Sequence, residues 1–79
     1  MERVQDHVEA VRFFKLASDQ GYTDAEYNLG AMYANGLGVE EDVAEAMRWL
    51  ERAAAKGDDF AKQDLAHLKF VRSLNEHGP

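Results

Sequence analysis

Cysteine is absent and proline occurs once in 79 residues. Without cysteine the chain can form no disulfide, no thiolate zinc site and no cysteine nucleophile. Runs of valine, isoleucine and threonine are also missing while alanine is abundant, a balance that favours helix over sheet. No apolar stretch approaches the roughly 18 residues that span a bilayer, and Met1 to Asp6 has no signal-peptide character, so a cytoplasmic protein off the membrane is expected. Positive charge is scarce: 9 Lys and Arg against 15 Asp and Glu leave a net charge of −6. That balance argues against nucleic acid or anionic lipid as a ligand, and a partner selected by charge would be basic.

What is present is an ordered composition, 46% hydrophobic and 30% charged. The length allows a single domain, which buries only about 60% of the surface its unfolded chain exposes. Within it the sequence repeats itself. Placing Asp6 on Asp42, an offset of 36 residues, superposes Glu9 on Glu45, Ala10 on Ala46, Arg12 on Arg48, Ala17 on Ala53, Gly21 on Gly57, Ala25 on Ala61 and Leu29 on Leu65. Eight identities over 24 aligned positions far exceed the one or two that residue usage alone would produce.

Start and stop signals divide the repeat into helices. Asp6 with Glu9, Thr23 with Glu26 and Asp42 with Glu45 have capping-box spacing, and Asp59 is a plain N-cap candidate. Gly21, Gly36 and Gly57 follow helix ends, where a left-handed residue closes the last turn. The reading is four helices, from Asp6 to Gln20, Asp24 to Asn35, Asp42 to Lys56 and Phe60 to Leu74.

Their faces differ. Val43, Ala46, Met47, Leu50, Ala53 and Ala54 make one apolar stripe on the third helix, and Val4, Val8, Val11 and Phe14 repeat it on the first. The second helix is apolar almost all the way round, which places it between neighbours. Gly30 inside it costs about 1 kcal/mol relative to Ala, and a close approach of another helix backbone would justify that. Gly38 gives the following loop a second unusual dihedral or is merely tolerated there. Phe13 and Leu16 fall off the first helix's main stripe and mark a dimer contact or a surface covered by further repeats.

The run from Ala25 through Leu29, Gly30, Tyr33, Gly36, Gly38 and Val39, followed by Asp42, Ala46, Trp49, Ala53, Ala54 and Gly57, resembles the Sel1-like repeat, an αα-hairpin related to the tetratricopeptide class. The resemblance implies an all-α, right-handed αα-superhelix of stacked antiparallel hairpins, working as a non-catalytic scaffold for protein interaction. It also implies one domain over 1–79, with a second-half repeat helix at 6–20, a complete repeat at 24–56 and a modified capping helix at 60–74. Departures from the pattern are Phe13 in the place of Trp49, Ala66 and Lys69 in the places of Gly30 and Tyr33, and the missing glycine loop after the last helix. His67, Lys69, Arg72, Asn75 and Glu76 make that helix polar on one side, as a cap requires. Arrays of this kind need about three repeats, so self-association or membership of a longer array is expected.

Catalytic groups are few. Ser18 and Ser73 lie in no nucleophile motif, and Thr23 reads as a cap. His7, His67 and His77 lack the i, i+4 spacing of a helical metal pair. Glu40-Glu41 and Asp58-Asp59 lie at helix starts, where negative charge suits the dipole better than it suits paired catalysis. No cofactor, metal or enzymatic activity is expected, although β-lactam hydrolysis is ascribed to some cysteine-rich relatives of the resembled family.

Binding is sought on the first helix of each hairpin, which lines the concave side in stacks of this class. Asp24, Tyr27, Ala31 and Asn35 share a face of the second helix, and the repeat places Phe60, Gln63, His67 and Val71 on the matching face of the fourth. These eight form the expected surface for a peptide or partner protein, with Tyr27 as anchor. The spacing equally allows Tyr27 and Phe60 to fill gaps between helices. A second functional reading is a small acidic inhibitor or immunity protein that blocks a basic toxin or enzyme surface.

Overall fold

The computed structural model describes residues 4–76. Met1 to Arg3, His77 to Pro79 and the side chains of Val4, Gln5 and Glu76 lie outside the described residues. Four helices follow in order, α1 Val4–Asp19, α2 Thr23–Asn35, α3 Val43–Ala55 and α4 Asp59–Glu76, with no strand among the described residues. Each helix packs chiefly on its neighbours in sequence, and the α2–α3 pairing is the most extensive. The extents of 39 × 30 × 18 Å fit helices layered in series.

The start signals divide into those decided by nearby atoms and those decided by the fold. Asp42 caps α3 as expected, its Oδ1 accepting from the Glu45 amide at 3.0 Å. The reciprocal arm is diverted, because the Glu45 carboxylate accepts from Arg48 Nη1 at 2.6 Å. At α4 the cap is Asp58 rather than Asp59: Asp58 Oδ1 accepts from the Ala61 amide at 2.9 Å, and Asp59 is the first helical residue. Asp6 lies inside the first turn of α1, which begins at Val4, and Glu9 pairs with Arg12 at 3.1 Å.

The Thr23 box does not form. Tyr22 holds the N-cap position of α2 without a side-chain bond. Glu26 turns inward to 3% exposure, where its Oε2 accepts from Lys56 Nζ at 3.2 Å. The same ammonium donates to the Gly21 carbonyl at 3.1 Å. A buried carboxylate needs a charged donor more than an amide at a helix end needs a cap, so the tertiary contact wins.

Helix ends close as the glycines suggest, and twice in the same way. The Tyr22 amide donates to the Ala17 carbonyl and the Gly21 amide to that of Ser18; 36 residues on, Asp58 donates to Ala53 and Gly57 to Ala54. This is the paired 6→1 and 5→2 pattern of a Schellman closure.

The core has two clusters. Val11, Leu29 and Met32 join α1 to α2 beneath Ala10, Phe14, Val39 and Trp49. Leu50, Ala53, Ala61 and Leu65 join α3 to α4, with Tyr27, Met47, Ala54 and Leu68 packed against them. Of the stripe expected on α3, Ala46, Leu50 and Ala53 are buried, Met47 and Ala54 are half-buried, and Val43 at the start of the helix is exposed. Phe13 and Leu16 are about two-thirds exposed on α1. On α4, Phe70 and Leu74 are more than half exposed, so this helix carries bare apolar residues as well as the polar side expected of a cap.

Two glycines set the spacing. A Cβ at Gly30 would lie 2.7 Å from Leu50 Cγ and 3.2 Å from the Ala46 carbonyl oxygen, so α3 approaches α2 at the glycine. Gly38, whose φ is 74°, rests on α1, and a Cβ there would run into the His7 carbonyl and lie 2.8 Å from the Val8 nitrogen. It is therefore a required contact and not a tolerated loop residue. Gly38→Ala should lower stability by about 2–4 kcal/mol, since strain and collision with rigid backbone add. Gly30→Ala should cost about 1–3 kcal/mol despite its better helix propensity, because overpacking outweighs the gain. Urea denaturation checks both, and an unchanged Gly30→Ala midpoint would disprove the close-approach account.

Candidate partner-binding site

The surface expected to bind a partner lies along α2 and α4, which sit side by side across α3. From the α2 side, Tyr27 donates its hydroxyl proton to Asp64 Oδ2 of α4 at 2.8 Å. Its ring meets Phe60 at a centroid distance of 6.4 Å and an interplanar angle of 52°. The same ring packs on the Leu50–Leu65 cluster. The Tyr27 ring thus fills space between helices, and its hydroxyl is held by Asp64 of α4.

Beyond this bridge a cleft of about 280 Å³ opens between the two helices. Ala31, Ala34 and Asn35 form one wall, Asp64, His67 and Leu68 the other, and Gly30 with Leu50 the floor. The Asn35 amide group donates back to the Ala31 carbonyl at 2.8 Å, which fixes its rotamer and turns its carbonyl oxygen away from that bond.

Of the eight expected residues, Ala31, Asn35 and His67 are brought together in this cleft, and Tyr27 with Phe60 stands at its edge. Gln63 is exposed on α4. Asp24 is exposed at the start of α2, where its carbonyl accepts from Asn28 Nδ2 at 2.8 Å. Val71 lies elsewhere, in a second cleft formed with Val43 and Ala44 of α3.

Asp64 is the residue that the spacing argument passed over. From Phe60 a face can continue by three residues or four, and four reaches Asp64, which is itself three before His67. Gly30 and Leu50 also line the cleft; from sequence the one reads as a close-approach glycine and the other as part of the apolar stripe of α3, so neither marks a groove.

The cleft is electronegative at the Tyr27 hydroxyl. The hydrogen bond to Asp64 is the main cause of a phenol pKa raised above its ordinary 10.0, with desolvation and the charges of Asp64 and Asp58 adding to it. Among the described residues no group of three or more His, Cys, Asp or Glu could hold a metal ion. No helix there is long and apolar enough to cross a membrane.

Two helices repeated at an offset of 36, Schellman closures at the same offset and a glycine at the α2–α3 contact set a pattern that comparison with known sequences identifies. The Sel1 repeat profile matches residues 2–22 and 23–58. The chain belongs to the Sel1 repeat family. DAP3-binding cell death enhancer 1 of Rattus norvegicus is 35% identical over 68 residues, 86% of this chain and 13% of that protein. Chitin synthase regulator SKT5 of Malassezia restricta is 39% identical over 64 residues, 81% of this chain and 4% of that protein. The exopolysaccharide production negative regulator of Rhizobium leguminosarum bv. viciae is 33% identical over 66 residues, 84% of this chain and 24% of that protein. The chain thus spans a quarter or less of the length of these relatives. No solved structure matches it at a significant level.

The Tyr27–Asp64 bond makes a pH prediction. A folded-state pKa raised above 10.0 adds stability that is fully present below the unfolded value and is lost as pH rises through the folded one. The difference titration at 295 nm between the wild type and Tyr27→Phe should have its midpoint above 10, and Asp64→Asn should return it toward 10. A midpoint that Asp64→Asn leaves in place would contradict the assigned cause.

Proposed function

We propose that this Sel1 repeat chain is a non-catalytic interaction module that receives a peptide or loop of a partner protein in the groove between α2 and α4. The observation that carries the reading is the cleft itself: a small apolar floor at Gly30 and Leu50, walled by polar groups at Asn35, Asp64 and His67. Tyr27 and Phe60 offer an aromatic edge of the kind that anchors partner side chains. Asp64 in the cleft and the net charge of −6 favour a basic segment. The relatives fit this reading in name: two are called regulators and one is called DAP3-binding.

Within the module, α1 acts as the second helix of a repeat, α2 and α3 as a complete repeat, and α4 as a modified first helix. The bare Phe13 and Leu16 at one end and Phe70 and Leu74 at the other support stacking against further repeats or self-association.

A photo-crosslinking residue placed at His67 should capture one partner from host lysate, while the same residue at Glu51, on the outer face of α3, should not. His67→Ala, at an exposed position of the cleft wall, should weaken that partner's binding about tenfold, roughly 1.4 kcal/mol, at unchanged melting temperature. Capture at Glu51 equal to that at His67 would refute the groove.

A further inference from the structure

The internal offset of 36 residues relates not only helices but also the spaces between them. At the α1–α2 end, the loop after α2 folds back onto α1. Gly38 rests on the His7–Val8 peptide, and Val39 enters the cluster of Val11, Leu29 and Met32. The Asp42 amide, donating to the Tyr33 carbonyl at 2.9 Å, anchors the far end of the loop. One glycine and one aliphatic side chain close the angle between two diverging antiparallel helices.

Moving each of these positions by 36 residues turns His7 into Val43, Val8 into Ala44, Val11 into Met47 and Met32 into Leu68. Those residues mark the α3–α4 end. There α4 does not stop at the position equivalent to Gly36, which is Arg72, but continues as helix to Glu76. The position of Val39 is taken by Asn75, still within the helix. Between the helices lies a cleft of about 300 Å³ lined by Val43, Ala44, Leu68, Val71, Arg72 and Asn75. Two of its residues are the counterparts of the peptide that seats Gly38, and a third is the counterpart of a residue that packs on Val39. Arg72 bounds it, its Nη1 placed 3.9 Å from Met47 Sδ. The cleft is thus the second copy of a seat whose first copy is filled.

We propose that this cleft between the start of α3 and the end of α4 is a docking site for a glycine–aliphatic turn of a partner protein, bound as Gly38 and Val39 are bound at the other end. The occupant follows from the internal copy. Ala44 presents a backbone ridge that a residue without Cβ can approach, as Gly38 approaches Val8. Leu68 and Val71 offer a pocket for one short aliphatic side chain. The site shares only Leu68 with the lining of the groove between α2 and α4 and does not depend on what that groove binds.

The test uses the full chain, labelled with ¹⁵N, and a capped heptapeptide of the sequence of residues 35–41 as the probe. Amide shifts should move and saturate around Val43, Ala44, Leu68 and Val71, with half-saturation on the order of millimolar for so small a ligand. A peptide with serine at the Val39 position, or alanine at the Gly38 position, should bind about tenfold more weakly. Ala44→Gln, a change at an exposed position of α3, should abolish the shifts at an unchanged circular dichroism spectrum. The peptide variants keep the test decisive if Ala44→Gln perturbs the fold. Three results would overturn the proposal: no saturable shifts, shifts the substituted peptides reproduce equally well, or the same shifts on concentrating the protein without peptide, which would assign the cleft to a second copy of the chain.

Discussion

The distance between α2 and α3 governs the rest of the molecule. At Gly30 a hydrogen stands where any other residue would put a carbon, and Leu50 Cγ fills that space. Because α3 is seated this closely, Leu29 and Leu50 are fully buried on opposite sides of the contact. Alanine rather than a larger residue lines the remainder, at Ala46 and Ala53, both without exposed surface. A chain this short has little core to spend, and close packing of small residues raises the density of contacts that it obtains. The cleft lies beside the same contact, with Gly30, Ala31 and Leu50 on one side and Asp64 and His67 of α4 on the other.

Much of this was legible in the residues. Gly30 stood out because it interrupts a helix that is apolar all round, and only a packed neighbour justifies that interruption. The repeat located all four helices within a few residues, since Schellman closures at Gly21 and Gly57 depend on local geometry alone. Asp42 was readable as a cap for the same reason. Gly38 was readable in its dihedral, a φ of 74°, but not in its contact: the atom that excludes its Cβ belongs to His7, 31 residues earlier, and nothing in the loop announces it. Glu26 misled because Lys56, which holds it, lies 30 residues on. Asp58 and Asp59 differ by one register step, which composition does not resolve.

On the candidate surface, sequence spacing names Gln63 of α4, and the structure brings its neighbour Asp64 to Tyr27. Gln63 and Asp64 are adjacent, and a helix of 3.6 residues per turn leaves both near the inner face. The structure separates them through the Tyr27 hydroxyl, which reaches Asp64. Val71 shows the opposite case: helical periodicity continued the groove to it, whereas α4 runs beyond the reach of α2 and gives Val71 to the space beside α3. Helix periodicity states which residues share a direction, and only the lengths of the neighbouring helices state how far that direction remains a shared surface.

Lys56 draws three segments together, for its ammonium is held at once by the Gly21 carbonyl and the Glu26 carboxylate. In a linear stack each helix is answerable only to its neighbours, and the outermost one is free to fray without disturbing the far end. A lysine at the close of α3 that grips the turn between α1 and α2 shortens this chain of dependence. Loosening that turn takes away one of the two acceptors that hold the ammonium beside the buried Glu26, so fraying at the α1–α2 turn is felt at the close of α3 through a single side chain.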